Sequence, residues 1–333
     1  MPRNALAIAL GVVLAAGLFA PLVSGAATPG FWTEVLLGGL MAGVLYSLVA
    51  LGFVLIFKAS GVFNFAQGAM VLFAALSAAR MAERMPLWAA VLLAVAIMIA
   101  LAFVIERLVL RPLVNQEPVA LLMATLGVAY FLDGFGQTIW GSDIYEINLG
   151  LAKEPVMILE SVFQGGILIN KDDVAAAVVA ALLVAGLALF FQKTATGRAL
   201  RAVADDHQAA LSVGIPLNRI WVIVWAVAGF VALVAGMMWG AKLGVQFSIS
   251  QVALKALPVV ILGGFTSIPG AIIGGLIIGV GEKMSEVFLA PVLVKAFDLA
   301  GGGIENWFAY VLALLFLLVR PEGLFGERHI DRV

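Results

Sequence analysis

Residues 35–57 read VLLGGLMAGVLYSLVALGFVLIF, a run of 23 positions without a charged side chain. At about 1.5 Å of rise per residue, a helix of this length exceeds the roughly 30 Å hydrocarbon core of a bilayer. Because that core offers no water to the backbone, every N–H and C=O group must be satisfied within the segment, as in an α-helix. The run therefore predicts a transmembrane helix and an all-α fold.

The composition of the whole chain supports the same interpretation. Of the 333 residues, 63% are hydrophobic and 12% are charged, whereas soluble domains have about 45–50% apolar and about 25% charged residues. The net charge of −1 gives no basic footprint for nucleic acid, and the lack of cysteine excludes disulfides and thiolate metal ligands. The composition excludes a soluble enzyme, a disordered chain and a nucleic-acid-binding protein. It makes the lipid bilayer the first predicted partner.

Nine further apolar runs resemble this one, so the sequence predicts a polytopic membrane bundle of about ten transmembrane or partly re-entrant helices, forming one permease domain over residues 1–333. The first run follows Arg3 and also resembles a secretory signal peptide, but we expect it to be retained as a span. The eighth and ninth runs are short and are alternatively a re-entrant hairpin. The ten runs are 5–24, 35–57, 62–79, 87–105, 119–139, 174–191, 220–241, 252–265, 271–288 and 304–319.

The distribution of basic residues predicts the orientation. If residue 1 is cytoplasmic, the inner segments hold 11 of the 19 basic residues and nine of the 11 arginines. Arginine and lysine are enriched in cytoplasmic loops of membrane proteins. The sequence therefore predicts two cytoplasmic termini, an external loop at 141–173 and a cytoplasmic loop at 192–219.

The predicted cytoplasmic loop contains an amphipathic helix. Residues 198–211 read RALRAVADDHQAAL, with apolar side chains at helical spacing, at positions 200, 203, 204 and 211. Thr196 is the expected N-cap, and Gly214 followed by Pro216 is expected to end the helix. A helix resting on lipid favours large apolar groups opposite a basic face. This alanine-rich helix, with two aspartates and two arginines, instead favours docking into a cleft of a protein partner, with the lipid surface as the alternative.

A few polar and glycine residues inside the spans are candidates for a pathway or gate. Asn64 and Gln67 lie three residues apart on one helical face, and in hydrocarbon such amides need a partner or a wet path. They either hold neighbouring helices together or line the pathway. Gly263, Gly264 and Gly270 belong to a dense glycine cluster, which allows either tight static packing or a sliding interface.

The sequence shows no chemistry of its own. It has no G-x-x-x-x-G-K-[ST] phosphate loop, no metal-ligand pattern and no series of buried carboxylates or histidines suited to proton relay. We therefore predict no catalytic site, no metal and no cofactor. A pump built from this chain would take its energy from a partner, which could attach at the cytoplasmic helix.

Four segments resemble one family, the branched-chain amino-acid permeases of ABC importers of the LivH type. Residues 43–68 (GVLYSLVALGFVLIFKASGVFNFAQG) carry the resemblance in the membrane, and residues 197–205 (GRALRAVAD) resemble the family's cytoplasmic loop. Residues 208–214 (QAALSVG) are similar to the E-A-A-x-x-x-G loop of importer permeases, with Gln208 in place of Glu. Residues 262–275 (LGGFTSIPGAIIGG) resemble the late glycine-rich stretch.

The resemblance implies a non-enzymatic permease subunit of the bacterial inner membrane that works by alternating access. It implies a second, homologous LivM-type permease, two ABC ATPase subunits and a periplasmic substrate-binding protein as partners. The expected substrates are branched-chain or hydrophobic amino acids, with urea, short amides or aromatic acids as alternatives, and the rivals from other classes are an ion-coupled secondary transporter and a passive channel. The residues expected to couple to the ATPase are Arg198, Leu200, Arg201, Val203, Asp205, Asp206, Gln208, Ala209, Ala210 and Gly214.

Overall fold

The computed structural model describes residues 28–61, 63–113, 116–150, 154–163, 165–205, 207–298 and 303–326. The first predicted span (5–24) and both termini lie outside these residues. Contacts within the chain divide it into two compact units. We call residues 1–47, 151–181 and 257–333 unit 1, and residues 48–150 and 182–256 unit 2.

The described residues are predominantly helical, with one β-hairpin, so the predicted polytopic helix bundle is confirmed. In chain order the elements are α1 (Pro29–Ser60), α2 (Gln67–Ala82), α3 (Leu87–Ile105), α4 (Pro118–Trp140), β1 (Pro155–Ile158), β2 (Ile167–Asn170), α5 (Lys171–Lys193), α6 (Ala195–Asp205), α7 (His207–Ser212), α8 (Leu217–Leu243), α9 (Ser248–Leu254), α10 (Ala256–Gly263), α11 (Ile268–Met284), α12 (Ala290–Phe297) and α13 (Ile304–Val319).

Five of these helices are long and apolar enough to cross a bilayer: α1, α3 with its C-terminal extension, α4, α5 and α8. The predicted eighth and ninth runs form a sharply bent pair, α9–α10 followed by α11–α12, which counts as one broken span or a re-entrant loop. The third and tenth runs form shorter apolar helices, α2 and α13, of 16 residues each. Nine of the ten predicted runs therefore correspond to helices in the described part of the chain.

Helix α2 is the centre of unit 2. All of its residues are buried except Arg80 and Ala82, and it packs against α3, α4, α8 and α9. A helix that is apolar all round belongs inside a bundle rather than at its surface. The expected start of this helix at residue 62 is wrong, because residues 63–66 are not helical and the helix begins at Gln67.

Helix α3 shows the opposite pattern, because only one stripe of it is buried. The buried residues recur every three or four positions, as one face of a helix requires. The remaining surface carries large exposed apolar side chains such as Trp88 and Leu92. These exposed side chains fit a lipid-facing helix. The buried stripe consists of Ala90, Ala94, Met98, Ala102 and Ile105.

In unit 1, the first half of α1 packs against α11 through glycines. A Cβ atom at Gly43 would lie 2.7 Å from the carbonyl oxygen of Gly275, and one at Gly39 would lie 2.7 Å from the Cα atom of Val280. Small residues let helix backbones touch in lipid, where the hydrophobic effect does not drive helix association. The backbones of α1 and α11 therefore approach each other closely at these glycines.

The predicted external loop contains the β-hairpin, which also belongs to unit 1. Strand β1 pairs antiparallel with β2, and Val156 lies opposite Ile169. The backbone N–H of Leu168 donates a hydrogen bond of 3.1 Å to the Glu34 carboxylate, which ties the hairpin to the start of α1.

Candidate functional site

In unit 2, segments that the sequence places on the same side of the membrane lie close together. At one end, the indole N–H of Trp221 donates to the carbonyl of Ala59 at 3.0 Å. At the other, Tyr145 and Val245 exchange two backbone hydrogen bonds of 3.1 and 2.7 Å. The first pair lies at predicted cytoplasmic ends of spans and the second at predicted external ends. Which end faces the cytoplasm stays a prediction.

The predicted cytoplasmic helix begins at a tight junction with α5. The Thr194 hydroxyl accepts a hydrogen bond of 3.2 Å from the N–H of Gly197 and donates one of 2.7 Å to the carbonyl of Phe190. The expected cap at Thr196 is therefore wrong, and Thr194 caps α6. Gly197 lies directly against the Phe191 carbonyl, where any side chain would overlap the backbone.

Two arginines of α6 donate hydrogen bonds to the last carbonyl groups of α5. Arg201 donates to the carbonyls of Phe191 at 2.7 Å and Gln192 at 3.4 Å, and Arg198 donates to that of Lys193 at 3.3 Å. The last carbonyls of a helix lack intrahelical partners, and cationic side chains there are favourable. Arg198 and Arg201 thus fasten α6 to the end of a membrane helix.

The other predicted coupling residues divide into buried anchors and an exposed face. Leu200, Val203 and Ala210 are buried, and both α6 and α7 contact α8. Asp205, Gln208 and Ala209 are exposed, and Asp206 lies outside the described residues. The predicted helix is represented by two helices, α6 and α7, on either side of that position.

The end of this segment was only partly predictable. Gly214 adopts φ +83°, and its N–H donates to the carbonyl of Leu211, so the predicted stop at Gly214 is confirmed as a left-handed helix end. Leu211, assigned by periodicity to the apolar face with Leu200, is instead 52% exposed, and Val213 is 74% exposed.

The predicted amides meet in a helix break that lies between α1 and α2. Asn64 and Gln67 are fully buried, and the Asn64 amide donates to the Gln67 side-chain oxygen at 3.4 Å. The Gln67 amide also donates to the carbonyl of Ala228 on α8 at 3.4 Å. Gly52 leaves room for this amide, because a Cβ atom there would overlap it. These contacts fit helix-joining amides, and a role in a gate stays a prediction.

The predicted glycines meet in a second break, between α10 and α11. Gly263 and Gly270 touch backbone to backbone, and a Cβ atom on either would overlap the other. Gly264 adopts φ +104°, and the Ser267 hydroxyl caps α11 by accepting from the N–H of Gly270 at 3.0 Å. The N–H groups of Leu324 and Phe325 donate to the freed carbonyls of Leu262 and Gly263 at 2.8 and 3.1 Å, respectively.

Two buried carboxyl groups were not identified from the sequence. Glu282 on α11 is 7% exposed and is hydrogen-bonded to the buried side chain of Tyr46 on α1. Glu282 follows Gly275 by seven residues and Ile278 by four, so the three residues lie on the same side of α11. Gly275 and Ile278 are buried. This helical spacing is the signal in the sequence that could have identified Glu282. A carboxyl group on such a packed face needs a partner.

Glu106, the second of these, ends α3. Its carboxylate accepts two hydrogen bonds from Arg111, of 3.0 and 2.9 Å. The chain between them forms a π-helical turn, Glu106–Leu110, which brings residue i+5 over residue i. A search based on the spacing of an α-helix would not pair these two residues. Within the described residues, no group of three or more acidic, histidine or cysteine side chains could hold a metal.

Comparisons with known proteins agree on one family. The family described as "Branched-chain amino acid transport system / permease component" matches residues 35–320. The chain is 29% identical to the high-affinity branched-chain amino acid transport system permease protein BraD of Pseudomonas aeruginosa, covering 91% of this chain and 98% of BraD. It is 27% identical to the corresponding LivH protein of Escherichia coli K12, with the same coverage of each chain.

A more distant relative is named for another substrate. The fructose import permease protein FruF of Bifidobacterium longum is 24% identical, covering 75% of this chain and 72% of FruF. The sequence similarity of this chain therefore extends both to proteins named for amino-acid substrates and to one named for a sugar.

Proposed function

The chain belongs to the family of permease components of branched-chain amino-acid transport systems, and from this premise we propose that it is the membrane-spanning permease subunit of an ATP-driven importer for branched-chain amino acids. Its proposed partners are a second, LivM-type permease, two ABC ATPase subunits and a periplasmic substrate-binding protein. The chain itself performs no hydrolysis in this proposal. The observation that carries it is the fastening of the exposed α6–α7 segment to two membrane helices.

The exposed face of α6–α7 is the proposed ATPase contact. It combines Asp205, Gln208 and Ala209 with the exposed apolar side chains of Leu211 and Val213. Exposed apolar side chains rimmed by polar groups mark interaction sites on protein surfaces. Gln208 replaces the usual Glu of importer permeases, so the proposed contact at this position uses an amide rather than a carboxylate.

The contacts of this segment support transmission of movement. Arg198 and Arg201 bond α6 to the end of α5, Leu200 and Val203 are buried, and α6 also contacts α8. Helix α8 packs in turn against the buried helix α2. Packed helices shift as bodies rather than deform continuously. In this hypothesis, ATP-driven movement of α6 shifts α5 and α8 and so alternates access to the pathway.

The proposed substrate class rests on the names of two relatives. BraD and LivH are named for branched-chain amino acids, which supports an aliphatic amino-acid substrate for this chain. FruF is named for fructose, so urea, short amides and aromatic acids stay as alternatives within the importer class. Uptake competition among leucine, urea, acetamide and benzoate by the reconstituted complex distinguishes them.

Glu282 favours one function from a different class, ion-coupled secondary transport. A carboxyl group buried in a membrane helix beside Tyr46 is the kind of group that couples ion movement to transport. Leucine uptake that survives ATP depletion and stops with a protonophore would support this alternative. Uptake that requires ATP and the binding protein would support the importer.

The coupling hypothesis is tested by Leu211→Asp combined with Val213→Asp. Both side chains are exposed, so we expect insertion and thermal stability to be unchanged, while ATPase co-purification and leucine uptake fall at least about tenfold through loss of an interface contact. The readouts are ATPase recovered per permease and ATP-dependent uptake in proteoliposomes. Reversing Arg201 would also break its bonds to α5, so the exposed pair gives the cleaner result.

The matched control is Val162→Asp, at an exposed position of the β-hairpin that the sequence places on the external side. It introduces the same charge without touching α6 or α7. If Leu211→Asp/Val213→Asp keeps full uptake, α6–α7 does not transmit the ATPase movement and the coupling hypothesis fails.

A further inference from the structure

We infer that an open cavity in unit 2 binds a free amino acid, a zwitterion with an aliphatic side chain, at the end of the bundle that holds the Tyr145–Val245 pair. The inference rests on the proposed function, because it assigns an entry site for the proposed substrate. No described residue of α6, of α7 or of the two helix breaks lines this cavity.

The cavity has a volume of about 120 Å³ and is open on one side. That is room for several water molecules, which occupy roughly 30 Å³ each in the liquid. Its walls come from α2, from the end of α4 with the following turn, and from the turn between α8 and α9. A cavity of this size fits a small solute better than a polypeptide.

The floor of the cavity is apolar. Leu72 and Leu76 are buried and lie one turn apart on α2. Phe247 stands at the mouth with half of its surface exposed. Burying a branched aliphatic side chain against these three residues is favourable by the hydrophobic effect. A sugar or urea would leave its hydroxyl or amide groups without partners on the same floor.

The rim of the cavity is polar and carries a carboxylate, and a cationic side chain lies close to that carboxylate. Gln137, Ser142 and Asp143 line it. Arg80 follows Leu76 by one turn of α2, stacks over the Tyr145 ring at 4.6 Å and lies close enough to Asp143 to interact with it electrostatically. Although Arg80 also pairs with Glu83, its five donors allow further acceptors.

This arrangement matches the parts of an aliphatic amino acid. The ammonium group would bind the Asp143 carboxylate, the carboxylate group would bind on the side of Arg80, and the side chain would enter between Leu72 and Leu76. Charge-assisted hydrogen bonds of this kind fix orientation as well as affinity. By the predicted topology this end of the bundle is external, where a periplasmic binding protein would release its substrate.

The test fills the cavity from its exposed rim. Ser142→Trp changes no buried side chain, and in proteoliposomes containing the complete transport complex we expect at least about a tenfold loss of leucine uptake, because the indole occupies the substrate's space. Ser161→Trp is the matched control, since Ser161 is an exposed serine of the β1–β2 turn and does not line the cavity. Its uptake should stay within about twofold of the wild type.

A second measurement detects binding without transport. The complete complex in nanodiscs, without ATP, is irradiated with photo-leucine, a diazirine analogue, and adducts are located by mass spectrometry. We expect adducts at residues 137–143 and 246–247 that excess L-leucine removes. Asp143→Asn should reduce them about tenfold, as expected for loss of one charge-assisted contact.

The outcomes separate this inference from the proposed function. Wild-type complex that takes up no leucine with ATP would overturn the proposed function, and photo-leucine labelling would still test the cavity. Wild-type uptake with equal uptake by Ser142→Trp, or labelling that is absent from the cavity or resists competition, would overturn the cavity assignment and leave the importer function intact.

Discussion

The helix break at residues 61–66 and the break at 264–267 are closed by different means. In the first, side chains fill the gap: the Thr125 hydroxyl accepts from the N–H of Phe65 at 3.3 Å and donates to the carbonyl of Phe63 at 3.2 Å, and the amides of Asn64 and Gln67 bond to each other. In the second, backbone meets backbone at Gly263 and Gly270.

The two breaks nevertheless share a sequence frame. Residues 61–69 and 263–271 both follow the pattern G-x-F-x-x-x-x-G-A, and a helix begins within each. The difference lies in the variable positions, where Asn64 and Gln67 stand opposite Thr266 and Pro269 in this comparison. A common frame therefore accommodates either a polar or a glycine-based closure.

This difference indicates which break can change shape. Side-chain amides can exchange partners by rotating about χ angles at modest cost, whereas touching backbones have no freedom to adjust without moving a whole helix. We therefore expect the break at 61–66 to be the adjustable one if the pathway is gated, and the break at 264–267 to act as a fixed corner.

The largest effect is expected at the fixed corner. Gly270→Ala places a methyl group into the Gly263 backbone, which cannot move aside, so we expect the free energy of unfolding to fall by about 3 kcal/mol or more. Thermal unfolding of the purified chain in detergent measures it. Gly186→Ala on α5, where the new methyl group meets no atom within 4 Å, is the control and should be neutral or slightly stabilising.

Equal melting temperatures for Gly270→Ala and Gly186→Ala would show that the corner is loosely packed, and the contrast between the two breaks would disappear.

An intermediate effect is expected at the adjustable break. Gly52→Ala overlaps the Gln67 amide rather than backbone, so it should cost about 2 kcal/mol, and shortening Gln67 should relieve the overlap. In the double variant Gly52→Ala/Gln67→Ala, we expect a cost at least about 1 kcal/mol below the sum of the two single costs. The double-mutant cycle is measured by the same unfolding assay.

Additive costs, within about 0.5 kcal/mol, would mean that the Gln67 amide is not the group that opposes a methyl group at position 52. The contrast between a side-chain closure and a backbone closure would then lose its basis.

The smallest effect is expected at Leu324, whose backbone packs beside the break at 264–267. Leu324→Pro removes the N–H that donates to the Leu262 carbonyl, and we expect a loss of about 1 kcal/mol, the net contribution of one hydrogen bond. Leu324→Ala keeps the N–H group and controls for the lost side chain. Identical unfolding curves for the two variants would show that this bond does not stabilise the corner.

Helices α6 and α7 show which local features could be predicted from the sequence. Helical periodicity placed Leu200 and Val203 on one apolar face, which the structure buries within the chain, and the sequence identified Gly214 as the stop. It misplaced the cap at Thr196, because the Thr194 hydroxyl accepts from Gly197 within a turn that follows α5 directly. It also placed Leu211 on the same face as Leu200, whereas Leu211 is exposed.

The sequence by itself determined the class of molecule and the position of most membrane helices. Hydropathy is a sum over a short window, and a run such as 35–57 has no soluble alternative. The same local logic located a helix within residues 198–211 and its glycine stop, because capping and periodicity depend on neighbours within a few residues.

Only the tertiary structure decided which groups oppose each other: Gln67 against Gly52, Gly43 against Gly275, and Glu282 against Tyr46. These pairs join residues that are 15 to more than 200 positions apart in the chain. Their contacts depend on the packing angles and breaks of whole helices. A short window of sequence does not specify which other helix will pack against it. The partners of the buried polar groups are therefore determined only when the helices pack together.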